Sequence, residues 1–133
     1  MTVYTASSES RVNTYTTSYQ DDSVTTALTG GGYVVAWRSW DQDTDGNGVF
    51  LQVYGADGTA TGSETQVNSH ITDHQMEPAI TALDTGGFVV AWTSVEQDGD
   101  SAGIYQLRYD ADGVALGGEV LVNQITAGIQ DTP

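Results

Sequence analysis

The chain has no cysteine and no lysine, two prolines, and no apolar run of the length a membrane-spanning helix needs. Without cysteine there is neither a disulfide framework nor a thiolate metal site, so packing, repetition or hard-cation binding must hold the fold. Three arginines stand against 18 acids, for a formal charge of −15. That imbalance argues against nucleic-acid backbones and anionic membranes as partners and makes cations the natural ones. The same acidity also serves solubility alone. Membrane insertion is not expected. No basic stretch followed by an apolar segment opens the chain, which points either to export without an N-terminal signal or to a piece of a larger protein. The 16 glycines and an apolar fraction of 38% favour many short strands over long helices.

What is present is a repeat. Shifted by 55 residues, positions 12–66 match positions 67–121 at 25 of 55 places without a gap. Gly31-Gly32-Tyr33-Val34-Val35-Ala36-Trp37 returns as Gly86-Gly87-Phe88-Val89-Val90-Ala91-Trp92, and Ala56-Asp57-Gly58 as Ala111-Asp112-Gly113. Val12-Asn13, Val67-Asn68 and Val122-Asn123 share one phase, as do Gln20, Gln75 and Gln130. The chain therefore divides into the end of a preceding repeat (1–11), repeat 1 (12–66), repeat 2 (67–121) and the start of a following repeat (122–133). It reads as a window on a longer array.

Each repeat offers four strand-like runs between turn signals: Val24 to Leu28, Tyr33 to Ser39, Val49 to Tyr54 and Glu64 to Asn68, with equivalents 55 residues on. Glycine-rich and Asp-Gly connections predict hairpins, and nothing has a sustained helical period. Tyr33 to Trp37 and Phe88 to Trp92 are apolar at every position, so these strands need cover on both faces. The expected fold is all-β, with two four-stranded antiparallel β-propeller-like blades that complete a propeller by self-association. The alternative is a β-sandwich of the two repeats. Trp37 and Trp92 are expected in the core. The predicted partner is a second copy of the chain, because two blades leave an apolar face and a strand edge uncovered.

The densest chemistry is Asp41-Gln42-Asp43-Thr44-Asp45-Gly46-Asn47. Carboxylates at alternate positions before a glycine can converge on one hard ion, so Asp41, Asp43, Asp45 and Asn47 are candidate Ca2+ ligands. Glu96, Asp98 and Asp100 are a weaker second set. The bland reading is that these are ordinary Asp/Gly/Asn connectors. Trp40, Tyr15 and Tyr19 depart from the repeat and are candidates for stacking on a glycan, with inter-blade packing as the alternative. His70, Asp73, His74 and Glu77 have a spacing that converges only on a helix, and the segment reads as a loop. No His-Glu-x-x-His, Gly-x-Ser-x-Gly or phosphate-binding glycine loop is present, so a non-enzymatic role is expected.

Residues 86–123 carry Gly-Gly-Phe-Val-Val-Ala-Trp, then Ser94-x-x-Gln97-Asp98-x-Asp100, then Ile104-Tyr105-x-x-Arg108-Tyr109-Asp110-Ala111-Asp112-Gly113, then Gly117-Gly118-Glu119-x-x-Val122-Asn123. This string resembles the tandem repeats of giant calcium-binding exoproteins and adhesins of the RTX type, and the first acidic loop resembles the strand-loop-strand calcium site of integrin-type propellers. The resemblance implies a secreted or cell-surface location and a calcium-linked, multi-repeat, non-enzymatic role.

Overall fold

The computed structural model describes residues 8–133, so the part of the 1–11 assignment that covers residues 1–7 lies outside the described residues. Among the described residues the chain is all-β. Strands β1 (Gln20–Ala27), β2 (Tyr33–Trp40), β3 (Asn47–Tyr54) and β4 (Ala60–Gln66) form one four-stranded antiparallel sheet in chain order. Strands β5 (Gln75–Ala82), β6 (Phe88–Val95), β7 (Ala102–Tyr109) and β8 (Val120–Leu121) form the second in the same order. The sheets correspond to repeats 1 and 2.

The turns follow from the residues that make them. In the β1–β2 and β5–β6 hairpins, Gly32 and Gly87 lie so close to the Tyr54 and Tyr109 carbonyls that an added Cβ would sit 2.3 and 2.2 Å from the oxygens. Only glycine fits there. β1 and β5 begin earlier than the apolar pattern suggests and contain matching irregularities, between Asp21 and Val24 and between Met76 and Ala79. Asp22 and Glu77 adopt φ of +50° and +56° at these bulges. A bulge is where a strand tolerates proline, so Pro78 lies inside β5 rather than before it. β8 is short, and before it Ala115 bridges back to Tyr109 with Leu116 N donating to Arg108 O at 2.8 Å.

How the sheets meet decides the architecture. Side chains alternate along a strand, and β2 pairs β3 with Val34 opposite Val53 and Ala36 opposite Leu51. Those residues and Val49 share one face of sheet 1 and are at most 4% exposed. They join a single cluster with Phe88, Val90, Trp92, Tyr105, Leu107 and Tyr109. In repeat phase, however, these six match Tyr33, Val35, Trp37, Phe50, Gln52 and Tyr54, which lie on the opposite face of sheet 1. Sheet 1 thus contributes its front and sheet 2 its back. Trp37 and Phe50 are buried but stand outside that cluster, as residues of the other face should. A pair of repeats facing each other about a twofold axis would bury the same face of each, and this pair does not.

The backbones come closest where β5 runs past β1, with β5 also lying over β2 and β3. Toward the outer strands the sheets separate, leaving a cleft of about 150 Å³ between Thr61 and Ser63 of β4 and the Asp112-Gly113 turn. Val67, in the linker between the sheets, fills the junction at 4% exposure, and its amide donates to the Val49 carbonyl at 2.8 Å.

Phe88 is fully buried and its equivalent Tyr33 is 37% exposed. Phe88→Ala should therefore cost about 3–5 kcal/mol in urea unfolding, and Tyr33→Ala less than about 1.5 kcal/mol. Equal losses for the two would contradict the assignment of faces.

Candidate functional site

The acidic loops join β2 to β3 and β6 to β7, and each is closed by a short backbone bond: Asp41 N to Gly46 O and Glu96 N to Ser101 O, both 2.6 Å. Asp41 and Glu96 take φ of +62°, Thr44 +84° and Ser101 +50°. The left-handed positions recur in phase, Asp41 with Glu96, Thr44 with Gly99 and Gly46 with Ser101, and mark a loop shape common to both repeats.

The acids separate rather than gather. Asp43 turns inward, where its Oδ2 accepts from Gln66 Nε2 at 2.8 Å and Asn68 Nδ2 at 3.4 Å. Gly48 makes room for it, since a Cβ there would be 2.5 Å from Asp43 Oδ2. Asp98 repeats the pose over Gly103, where a Cβ would be 2.9 Å from its Oδ2. Leu121 replaces Gln66 in that copy and has nothing to donate. Asp43 Oδ1 and Asp98 Oδ2 are both buried with no hydrogen-bond partner. Asp45 Oδ2 accepts from Asp73 N at 3.4 Å, and Asp100 Oδ2 from Gly128 N at 3.1 Å, so the third acid of each loop reaches the linker that follows its sheet. Asp41 and Glu96 are exposed. Asn47 is 9% exposed, and its amide donates to His74 Nδ1 at 3.3 Å. Among the described residues no three acid or histidine side chains are gathered closely enough to hold a metal ion, and this includes His70, Asp73, His74 and Glu77. As they stand, the loop residues form latches to the linkers and not a cage.

Beneath each loop lies a polar clamp that composition and motif reading did not reveal. Asn68 Oδ1 accepts from Val49 N at 2.7 Å, and its Nδ2 donates to His70 O at 2.8 Å and Gln75 Oε1 at 3.1 Å. Gln75 Nε2 in turn donates to Thr72 O at 2.9 Å. The same pattern recurs with Asn123, Ile104, Ile125 and Gln130. Asn13 and Gln20 repeat its linker half, with Tyr15 O and Thr17 O as acceptors. A buried amide that uses both ends in this way fixes the linker against the sheet. Glu64 ties Thr14 to Gln42, and Glu119 ties Ser69 to Gln97, at the same spacing. The trace of this in the sequence is the shared phase of Asn13, Asn68 and Asn123, of Gln20, Gln75 and Gln130, and of Gln42 with Gln97 and Glu64 with Glu119.

Of the aromatic candidates, Trp40 is 40% and Tyr19 75% exposed, and both line an open cleft of about 340 Å³ with Asp21, Arg38 and Asn47. The Trp40 ring also lies 5.4 Å from that of His74, so it serves the junction between repeats as well. Arg38 donates to both Asp21 oxygens at 2.8 Å and lies 3.2 Å from Asp22, which holds the Asp21 carboxyl below its ordinary range. Tyr15 is apart from the cleft and donates to the Asp41 carbonyl at 3.4 Å.

Burial pushes the Asp43 carboxyl above its ordinary value of 3.8, against the opposing pull of the Asn68 amide. The folded state then keeps this proton to a higher pH than the unfolded chain, so Asp43 withdraws stability as pH rises through that window, and fully so at neutrality. In chelator, Asp43→Asn should raise the melting temperature at pH 7 and leave it unchanged below pH 3.8. A lower melting temperature at pH 7 would show that the charged form is stabilised instead.

The chain matches no protein-family model, no curated protein and no solved structure in these comparisons.

Proposed function

We propose that this chain is a non-enzymatic module of a secreted or cell-surface repeat array, with a structural or adhesive role, and that calcium stabilises it. One observation carries the reading: the two repeats are joined front to back, so the contact that holds them together can be repeated indefinitely along a chain. The polar clamps support it, because their Asn–Gln pair returns at each of the three repeat boundaries in the described residues and, at the boundary between the two sheets, ties the linker to sheet 1 and to the start of β5. The resemblance of residues 86–123 to RTX-type repeats points the same way.

The calcium part of the proposal rests on Asp43 and Asp98, equivalent loop carboxylates that each keep one buried oxygen without a partner, Oδ1 of Asp43 and Oδ2 of Asp98. A cation would offset the cost of such an oxygen, provided that Asp41, Asp45 and their counterparts swing toward it. Binding in an extracellular module of this kind has a dissociation constant on the order of 10⁻⁴ to 10⁻³ M. At free calcium 100-fold above that constant, each site adds about 2.7 kcal/mol. Millimolar calcium should therefore raise the melting temperature, chelator should reverse the rise, and Asp43→Asn should reduce it. A transition that ignores both calcium and chelator removes calcium from the account.

A second reading, glycan binding, is favoured by one feature. Tyr19 and Trp40 present aromatic surface to the same cleft as the Arg38–Asp21 pair, which combines stacking with charged hydrogen-bonding groups. Glycan-array binding that survives Trp40→Ala, or its absence in the wild type, would dismiss this reading.

A further inference from the structure

Among the described residues the front-to-back contact leaves two sheet faces without a neighbouring sheet: the back of sheet 1, around Tyr33, Val35 and Tyr54, and the front of sheet 2, around Val89, Ala91 and Ile104. We propose that these faces bind each other between copies, so that the chain assembles head to tail. The proposal rests on the reading as a structural repeat module and names the partner as a second copy of this chain.

The internal interface is the template. Val34, Ala36 and Val49, all 0% exposed, become Val89, Ala91 and Ile104 one repeat later, unchanged or nearly so, yet all three are partly exposed. Phe88, Val90 and Tyr109, at 0, 0 and 1% exposure, correspond to Tyr33, Val35 and Tyr54, which are again partly open. Part of each complementary surface is thus present and open among the described residues, while Trp37, Phe50 and Gln52 on the back of sheet 1 are already buried and Gln106 and Arg108 on the front of sheet 2 stand where Leu51 and Val53 do.

They are also already shaped for it. The Tyr33 and Tyr54 rings stack at 4.8 Å with 12° between planes, and the buried Phe88 and Tyr109 rings stack at 5.0 Å and 12°. A face that holds its buried geometry while open has little ordering cost left on binding. A cavity of about 270 Å³ lined by Val12, Val35 and Trp37 lies on this face. The corresponding place in the interior is closed, with Val67, Val90 and Trp92 at most 4% exposed.

Docking on the template forces an exchange. Val122 follows the path of Val67, donating to Ile104 O at 2.8 Å as Val67 donates to Val49 O. Farther on, Gln130 N donates to Ala102 O at 3.0 Å and Thr132 N to Glu77 Oε2 at 3.2 Å. Residues 122–132 therefore lie on sheet 2 in the position that residues 12–22 of an incoming copy would take. This tail is held by hydrogen bonds and buries little apolar surface, with Val122 49% and Ile125 and Ile129 each 72% exposed. The incoming segment, which carries the rest of its sheet with it, displaces the tail.

Sedimentation velocity of the full chain over rising concentration tests this, in chelator and in calcium, with Val89→Glu and Tyr33→Glu alone and mixed. Circular dichroism checks that both variants fold, as their partly exposed positions allow. The wild-type mass should climb with concentration, each variant alone should stay monomeric, and the equimolar mixture should stop at a dimer, since it retains one intact pair of faces. Val122→Asp, which loosens the tail, should move association to lower concentration. A wild type that is monomeric throughout, a folded variant that still associates, or a mixture that remains monomeric overturns the proposal, and a Val122→Asp shift to higher concentration overturns the exchange. The result stands apart from the calcium reading: a monomer whose melting responds to calcium sinks only the assembly, and an associating chain whose melting does not respond sinks only the calcium.

Discussion

Everything in this structure follows from a sheet that is apolar on both faces. Burying one face of such a sheet solves half of its problem, and a chain of identical sheets solves the whole by setting the front of each on the back of the next. The second repeat shows the consequence on its back, where Phe88, Val90 and Trp92 are fully buried against repeat 1. The first shows it on its front, where Val34, Ala36 and Val49 are likewise buried. Area removed from water on this scale is the dominant favourable contribution in a chain without disulfides.

Apolar stacking alone does not fix the angle or register between sheets. The polar clamps do that. An asparagine and a glutamine seven residues apart hold each linker to itself, the asparagine also holds the sheet behind it, and an acid from the loop above reaches the linker ahead. The acidic loops have therefore two jobs to divide, joining strands and latching repeats. Asp43 bears the electrostatic cost, being driven inward beside amides that offset only part of its desolvation. Where the repeats diverge, the exposed faces have become more polar on one strand of the repeat: Leu51 and Val53 of the buried front give way to Gln106 and Arg108 on the open one.

Much of the fold was legible in the letters because two signals reinforce each other. The 55-residue period fixes the unit, and the uninterrupted apolar runs at Tyr33–Trp37 and Phe88–Trp92 demand two covered faces. Trp37 and Trp92 are core residues as their phase implies, at 3 and 0% exposure. Strand starts were harder, since β1 and β5 open with polar residues and a bulge that breaks alternation. The arrangement of the loop side chains was not legible. Alternate carboxylates suggest convergence on an ion, but the left-handed residues within the loop send successive side chains to different neighbours, and backbone conformation of that kind leaves little trace in residue type. The clamp was half visible, as a shared phase without a partner. Which face meets which could not be read at all, because front and back are equally apolar.

That choice of faces is the central claim, and nuclear Overhauser contacts in the dilute protein address it most directly. The account predicts cross-peaks from the methyl groups of Val34, Val49 and Leu51 to the ring protons of Phe88, Trp92 and Tyr109. Cross-peaks linking the rings of Tyr33 and Tyr54 to those same rings would place like face on like face and contradict it.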